Sequence, residues 1–281
     1  MHHKGRVIRK LIAAIRSPGE AVPQPPVDYP LEIEARLSAL HARTPVRAHL
    51  DMLYGDVRVG HESYVDLYSR CLEHTGTALT PYTVFHRFQT RHDLVRYFLA
   101  TLDIPGGRVE CGAYRGATAL LLCNVWRSRD SGYMGDGFYL IDSFSGTSES
   151  TPHDLIAVRD ARGDTRMAPF FPPRKTDVTS EMVRGFFTGF PDARVCEGWI
   201  PQVFEQLPEQ PWAFVHLDLT LYEATLAALR YFYPRLASRG VLVCDGSPFC
   251  PGAQKAMEDF CRETDIAYAT LGHRETVLIK N

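Results

Sequence analysis

Four acidic residues, Glu110, Asp142, Asp218 and Asp245, stand where an open α/β sheet keeps its chemistry. Each lies at the end of a short apolar run: Gly107-Arg-Val109, Phe138-Tyr-Leu-Ile141, Trp212-Ala-Phe-Val-His-Leu217 and Val241-Leu-Val-Cys244. Such runs read as buried parallel strands, so the acids fall at strand carboxyl ends, where sheets of this class bind ligands. Glu110 enters a glycine turn, Cys111-Gly-Ala-Tyr-Arg-Gly116, and the helix-forming run Ala-Thr-Ala-Leu-Leu-Leu-Cys123 follows it. Glycines allow close backbone approach, and a helix N-terminus offers unpaired N–H groups. A carboxylate at that turn has the wrong charge for a phosphate. It suits a ligand with cationic parts, such as the amino group and sulfonium of S-adenosylmethionine.

Asp142 closes the second of these strands, where an acid accepts hydrogen bonds from ribose hydroxyls. A single strand-end Asp can also cap a helix, a task open to Ser143 and Ser145. Four acids at four core strands favour the ligand reading. Asp218 and Asp245 end strands expected to be neighbours, which would bring both carboxylates into one cleft. Paired oxygen ligands suit Mg²⁺, which would orient a hydroxyl and lower its pKa. Alternatively, Asp245 caps the turn at Gly246-Ser247 and Asp218 binds local N–H groups. Without a metal a general base is required, and histidine titrates in the right range. His216 alternates with Asp218 along its strand, His153 lies in a long loop and His273 in a terminal turn. The other candidate is Asp218 itself.

These residues need a frame. Apolar runs predict strands at 107–111, 137–142, 193–197, 212–218, 239–245, 266–271 and 275–280. Helices fit 116–129, 180–189, 200–207, 222–235 and 251–264, and earlier 31–54, 63–73 and 92–102, the last entered by a loop at 80–87. Strand–helix alternation predicts a mostly parallel sheet with helices on both faces. The last two strands, joined only through Gly272-His273, form an antiparallel hairpin. Residues 146–178 carry Pro152, Pro169, Pro172 and Pro173 with no sustained period, and read as a mobile lid. Residues 1–79 form an N-terminal helical extension, with a Pro-rich linker at 18–30, and 80–281 form the main domain.

With 281 residues and 45% hydrophobic content, the chain can bury one large core. A formal charge of -2, from 31 basic and 33 acidic residues, argues against a nucleic-acid binder. Seven cysteines form no C-x-x-C pair, as expected of reduced, structural thiols in a cytoplasmic protein. No apolar run approaches the ~20 residues needed to span a bilayer. Lys4, Arg6, Arg9, Lys10 and Arg16 surround Val7, Ile8, Leu11, Ile12 and Ile15. That basic amphipathic helix packs on its own domain or a sister subunit, as in a homo-oligomer, more readily than on a membrane. It lacks the features of a secretory signal.

From about Tyr82 to the C-terminus the chain resembles the macrocin O-methyltransferase family. That family methylates sugar hydroxyls on natural products and includes mycinamicin and novobiocin pathway enzymes. The likeness is carried by Tyr82-Thr-Val84, Ile104-Pro-Gly-Gly-Arg-Val-Glu-Cys-Gly-Ala-Tyr-Arg-Gly116 and Ile141-Asp-Ser-Phe-Ser-Gly146. It continues through Gly198-Trp199, Leu217-Asp-Leu-Thr-Leu-Tyr-Glu-Ala-Thr225 and Leu229-Arg-Tyr-Phe-Tyr-Pro-Arg-Leu236. The resemblance implies a Rossmann-like class I methyltransferase fold of seven strands, using S-adenosylmethionine on a hydroxyl of a glycosylated secondary metabolite, as in antibiotic biosynthesis. It implies a cofactor set of Tyr82, Thr83, Val84, Glu110, Gly112, Tyr114, Gly116, Thr118, Asp142, Ser143, Phe144, Gly198, Trp199 and Asp218. Glu110 and the glycines would hold the methionine part, Asp142 the ribose, and 82–84 would cover the cofactor. Asp218 and Asp245 would be the metal set, and Asp218, His216 and His273 the catalytic candidates. Two departures stand out. The family reads Asp-Gly-Asp-Leu-Tyr where this chain has Asp218-Leu-Thr220-Leu-Tyr222. It ends its fifth core strand Asp-Asp-Tyr where this chain has Asp245-Gly246-Ser247, and the second of those acids is a family metal ligand. At most two of three carboxylates remain, which leaves Mg²⁺ open. Two other functions stay in view: a cofactor-binding protein without activity, and a methyltransferase acting on a carboxylate, amine or carbon without a metal.

Overall fold

The sheet forms where the chain supplies runs apolar on both faces. In Trp212–Leu217 all six side chains are buried, Phe214 on one face of the sheet and Val215 on the other. The structure, a computed structural model, describes residues 50–51, 54–78, 87–159, 163–246, 250–270 and 275–281. The expected N-terminal helix, the Pro-rich linker, Tyr82 to Val84 and His273 lie outside these residues.

A two-residue ladder, β1 (Arg58–Val59) and β2 (Glu62–Ser63), leads into helix α1 (Tyr64–His74). Helix α2 (Gln89–Leu99) follows, then β3 (Gly107–Cys111), α3 (Ala117–Arg127) and β4 (Phe138–Asp142). A hairpin of β5 (Leu155–Arg159) and β6 (Thr165–Pro169) precedes α4 (Ser180–Phe186) and β7 (Arg194–Glu197). The remainder runs β8 (Trp212–Leu217), α5 (Tyr222–Phe232), β9 (Leu236–Asp245), α6 (Pro251–Thr264), β10 (Ala269–Thr270) and β11 (Glu275–Ile279).

Seven strands form the main sheet in the order β10-β11-β9-β8-β3-β4-β7. The pairs from β9 to β7 are parallel, whereas β11 runs antiparallel to both β9 and β10. The expected sheet and terminal hairpin are therefore present. One face packs on α1, α2 and α3 through Phe98, Leu121, Leu140 and Phe214. The other packs on α5 and α6 through Val109, Ile141, Leu229 and Met257. The chain lays β4 and β7 on one side of β3 and then crosses to lay β8 and β9 on the other, so the crevice at the carboxyl ends of β3 and β8 is the topological switch point.

Three local expectations shift. The helix expected at 200–207 shrinks to a 3-10 turn at Gln202–Gln206, since Leu207, preceding Pro208, is extended (ψ 145). The helix expected at 92–102 begins three residues earlier, which draws Arg91 into its first turn. Residues 146–178 contain the β5–β6 hairpin, which only Val158 and Ala168 anchor apolarly. All seven cysteines are buried and none forms a disulfide. Among the described residues no helix is long and apolar enough to cross a membrane.

Candidate active site

A cavity of about 790 Å³ opens at the carboxyl ends of β3, β4 and β8. Glu110, Gly112, Tyr114 and Thr118 line it from β3 and the start of α3, and Asp142 and Ser143 from the end of β4. Gly198 and Trp199 follow β7, and Asp218 to Leu221, with Glu223, follow β8.

Gly112 and Gly116 are glycines for reasons internal to the protein. Both have positive φ, +86 and +77, and a Cβ at Gly112 would stand 2.2 Å from the Asp218 carbonyl oxygen. One at Gly116 would meet the Phe187 ring at 2.8 Å. The turn therefore lets the end of β3 approach the end of β8 and the start of α3 approach α4 and Phe187, and Gly116 is not on the cavity wall.

Glu110 is almost fully buried, with Oε1 3.1 Å from His216 Nδ1 and Oε2 without a partner among the described residues. A buried carboxylate oxygen left unpaired is costly, and a cationic N–H donor from a ligand would satisfy it. Asp142 accepts the Tyr114 amide at 2.8 Å and the Phe144 amide at 2.9 Å. Both donors hold left-handed φ angles, 49° and 47°, which side chains disfavour and which cluster at binding sites. Burial raises the Asp142 pKa against those amide bonds. Its oxygens retain acceptor capacity for vicinal hydroxyls. Ser143 holds the following turn, its hydroxyl donating to the Gly146 carbonyl at 2.9 Å. Phe144 packs into the core off the cavity wall, whereas Trp199 is 43% exposed on it. These groups fit S-adenosylmethionine: an orphaned acid for an ammonium, an amide-braced acid for a ribose and an aromatic for a base.

The other half of the cleft differs from expectation. His216 is fully buried under Glu110 and absent from the cavity wall, so it is no candidate base. Asp218 and Asp245 do come together, but Arg91 lies between them. Its Nη2 donates to Asp218 Oδ2 at 2.7 Å and its Nη1 to Asp245 Oδ2 at 2.6 Å. Arg87, one turn earlier, donates to the same Asp218 oxygen at 2.5 Å. Thr118, expected at the cofactor, accepts from Arg91 Nε at 2.8 Å. Burial would raise the Asp218 pKa, but Arg87, Arg91 and His216 outweigh it and hold the carboxyl well below its usual range. Asp218 is thus a poor proton acceptor. Guanidinium donors occupy the space a hard cation would need, and Thr220 and Gly246 supply no further carboxylate. Among the described residues no cluster of three or more His, Cys, Asp or Glu could hold a metal ion. The donor set does not fit Mg²⁺.

Two arginines were absent from the sequence-derived candidates. Arg87 and Arg91 are four apart, the spacing that places side chains on one helical face, and that was the available signal.

The segment beyond β4 is tied across its two ends and anchored to α5. The Thr147 amide donates to the Arg174 carbonyl at 3.0 Å, and the Asp154 carboxylate accepts the Tyr222 amide at 2.8 Å. Gly146, Thr147 and Arg174 to Asp177 line the cavity mouth.

Comparison with known proteins agrees with this fold. The model of the macrocin O-methyltransferase (TylF) family matches residues 79–272. A demethyldecarbamoylnovobiocin O-methyltransferase of Streptomyces niveus is 26% identical over 169 residues, 59% of this chain and 62% of that protein. An 8-demethyl-8-(2,3-dimethoxy-alpha-L-rhamnosyl)-tetracenomycin-C 4'-O-methyltransferase of Streptomyces olivaceus is 27% identical over 162 residues, 55% of this chain and 59% of that protein. The match thus spans less than two thirds of either relative. Among solved structures, the O-methyltransferase NovP superposes with a TM-score of 0.55 at 20% identity, over 70% of this chain and 82% of that one. The calicheamicin methyltransferase CalS11 gives 0.54 at 18%, over 76% and 91%. The fold is that of the class I methyltransferases.

Proposed function

Because the chain belongs to the macrocin O-methyltransferase family, we propose that it is an S-adenosylmethionine-dependent O-methyltransferase acting on a hydroxyl of a sugar-bearing metabolite. The observation that carries this is Asp142, braced by the Tyr114 and Phe144 amides and lining one cavity with the half-unpaired Glu110. The relatives' names point to glycosylated natural products as acceptors.

Glu110 would bind the ammonium of the methionine part, Asp142 the ribose hydroxyls, and Trp199 would cover the base. When bound, S-adenosylmethionine supplies an electrophilic methyl group. The protein's own task is then to hold the acceptor hydroxyl in line with that methyl and to exclude water, a large rate term by itself. The hydroxyl proton must also leave. Asp218 and Asp142 are committed to arginines and amides, Glu110 to His216, and Asp177 pairs with Arg115 at 3.7 Å. Glu223 is the remaining carboxylate on the cavity wall among the described residues, and we assign it the proton. Residues 146–178 would act as an anchored cover over the cleft rather than a free lid.

The test is incubation with methyl-labelled S-adenosylmethionine and a panel of deoxysugar glycosides and nucleotide sugars. One methyl group on a sugar oxygen, located by mass spectrometry and NMR, is expected. Methylation of a carboxylate, amine or carbon instead, with sugars untouched, would replace the acceptor class. Cofactor binding without turnover on any member would favour a non-catalytic role.

A further inference from the structure

We propose that Arg91 is a built-in cation occupying the position of a divalent metal at the base of this cleft, so that methyl transfer by this chain needs no metal. This rests on the methyltransferase reading above and concerns how the acceptor end of that site is charged.

The geometry is that of a keystone. Arg91 projects from α2 with only 2% of its side chain exposed, and each guanidinium nitrogen has a separate acceptor. Nε meets Thr118 on α3, Nη2 meets Asp218 after β8, and Nη1 meets Asp245 at the end of β9. A guanidinium stays charged at any working pH and presents its donors in a fixed plane, so three acceptors converging on it define one position. Removing both carboxylates would leave the buried guanidinium charge unpaired, a strongly unfavourable state. A metal entering between Asp218 and Asp245 would have to expel Arg91 into the core or repel it across the same gap. Asp245 is itself off the cavity wall, behind Arg91. Arg87 doubles the effect by meeting the same Asp218 oxygen from the cavity side.

The arrangement also has the right electrostatics. Arg87 and Arg91 both line the cavity and neutralise Asp218 and Asp245, so an acceptor oxygen losing its proton there faces guanidinium groups rather than unpaired carboxylate charge. Preorganised charge of this kind lowers the cost of a developing alkoxide. Arg91 acts through position and field and is a positioning residue.

The test is electron paramagnetic resonance of Mn²⁺ titrated into the full chain with S-adenosylhomocysteine present, beside turnover with Mg²⁺ and with EDTA. The free Mn²⁺ signal should persist undiminished, and EDTA should leave the rate within about twofold. The double variant Arg91→Ala/Gly246→Asp, checked for folding by circular dichroism, should attenuate the Mn²⁺ signal, because it opens the gap and adds an oxygen ligand. Stoichiometric Mn²⁺ binding by the wild type, or EDTA inactivation reversed by Mg²⁺, would overturn the proposal. A folded double variant that leaves Mn²⁺ free would overturn it as well. Should the variant not fold, the wild-type titration decides alone. The metal readout is independent of turnover, whereas failure of the methyltransferase reading would show as absence of S-adenosylhomocysteine binding.

Discussion

His216 and Glu110 are register partners on adjacent parallel strands, with the imidazole Nδ1 3.1 Å from the carboxylate Oε1 and both side chains buried, Glu110 at the cavity wall and His216 behind it. A histidine that sequence reasoning offers as a base therefore holds the residue assigned to the cofactor ammonium. His216→Leu should weaken S-adenosylmethionine binding by about tenfold, because Glu110 loses its internal donor. His216→Asn, whose amide can donate, should recover most of that affinity. The pH profile of kcat should keep its shape in both variants. Loss of an ionisation from that profile would return His216 to catalysis.

Glu223→Gln should lower kcat by about 10², the usual contribution of a positioned base, with the KM for S-adenosylmethionine nearly unchanged. Steady-state kinetics across pH check this. An unaltered kcat would remove Glu223 from the mechanism.

Glu275 faces Asp245 across the β9–β11 ladder, and neither of its oxygens has a partner among the described residues. Burial, then the neighbouring Asp245, push its pKa up to about 9 from 4.5. The folded state thus retains a proton that the unfolded chain releases. This stability is fully present below about pH 4.5 and declines as the pH rises towards 9. The slope approaches about 1.4 kcal/mol per pH unit within that window. Urea denaturation between pH 5 and 9 should show a Glu275→Gln variant with a flatter profile and a relative gain at the alkaline end. Parallel profiles would contradict the assignment.

Gly252, in the first turn of α6, lies against the Asp154 carboxylate that caps α5. A Cβ there would sit 1.8 Å from Asp154 Oδ1 and 2.7 Å from the Tyr222 amide nitrogen. Gly252→Ala should cost about 2 kcal/mol in urea denaturation, since the cap must move. It should also speed proteolysis between residues 155 and 169. Unchanged stability would mean that the segment is not anchored there.

The sheet was legible because its strands are short, apolar on both faces and separated by helical periods. Phe138–Asp142 and Trp212–Leu217 could be nothing else in that alternation. Glu110 and Asp142 were legible for a related reason, as charges that end apolar runs. The β5–β6 hairpin was not, because Leu155 to Val158 is a short apolar run without alternation and β6 exposes Thr165, Arg166 and Met167. Arg91 was missed because its partners Asp218 and Asp245 lie more than a hundred residues away, joined only by the fold. Thr220 and Gly246 marked the acceptor end as altered, and the trace of what stands there is the four-residue spacing of Arg87 and Arg91.

On our proposal, Asp142 and Glu110 make this cleft a methyl-donor site. Calorimetric titration with S-adenosylhomocysteine in EDTA tests it most directly. One molecule should bind per wild-type chain, with affinity weaker by about tenfold or more in Asp142→Asn, which loses a charged acceptor. No binding by the wild type, or equal affinity in the variant, would contradict it.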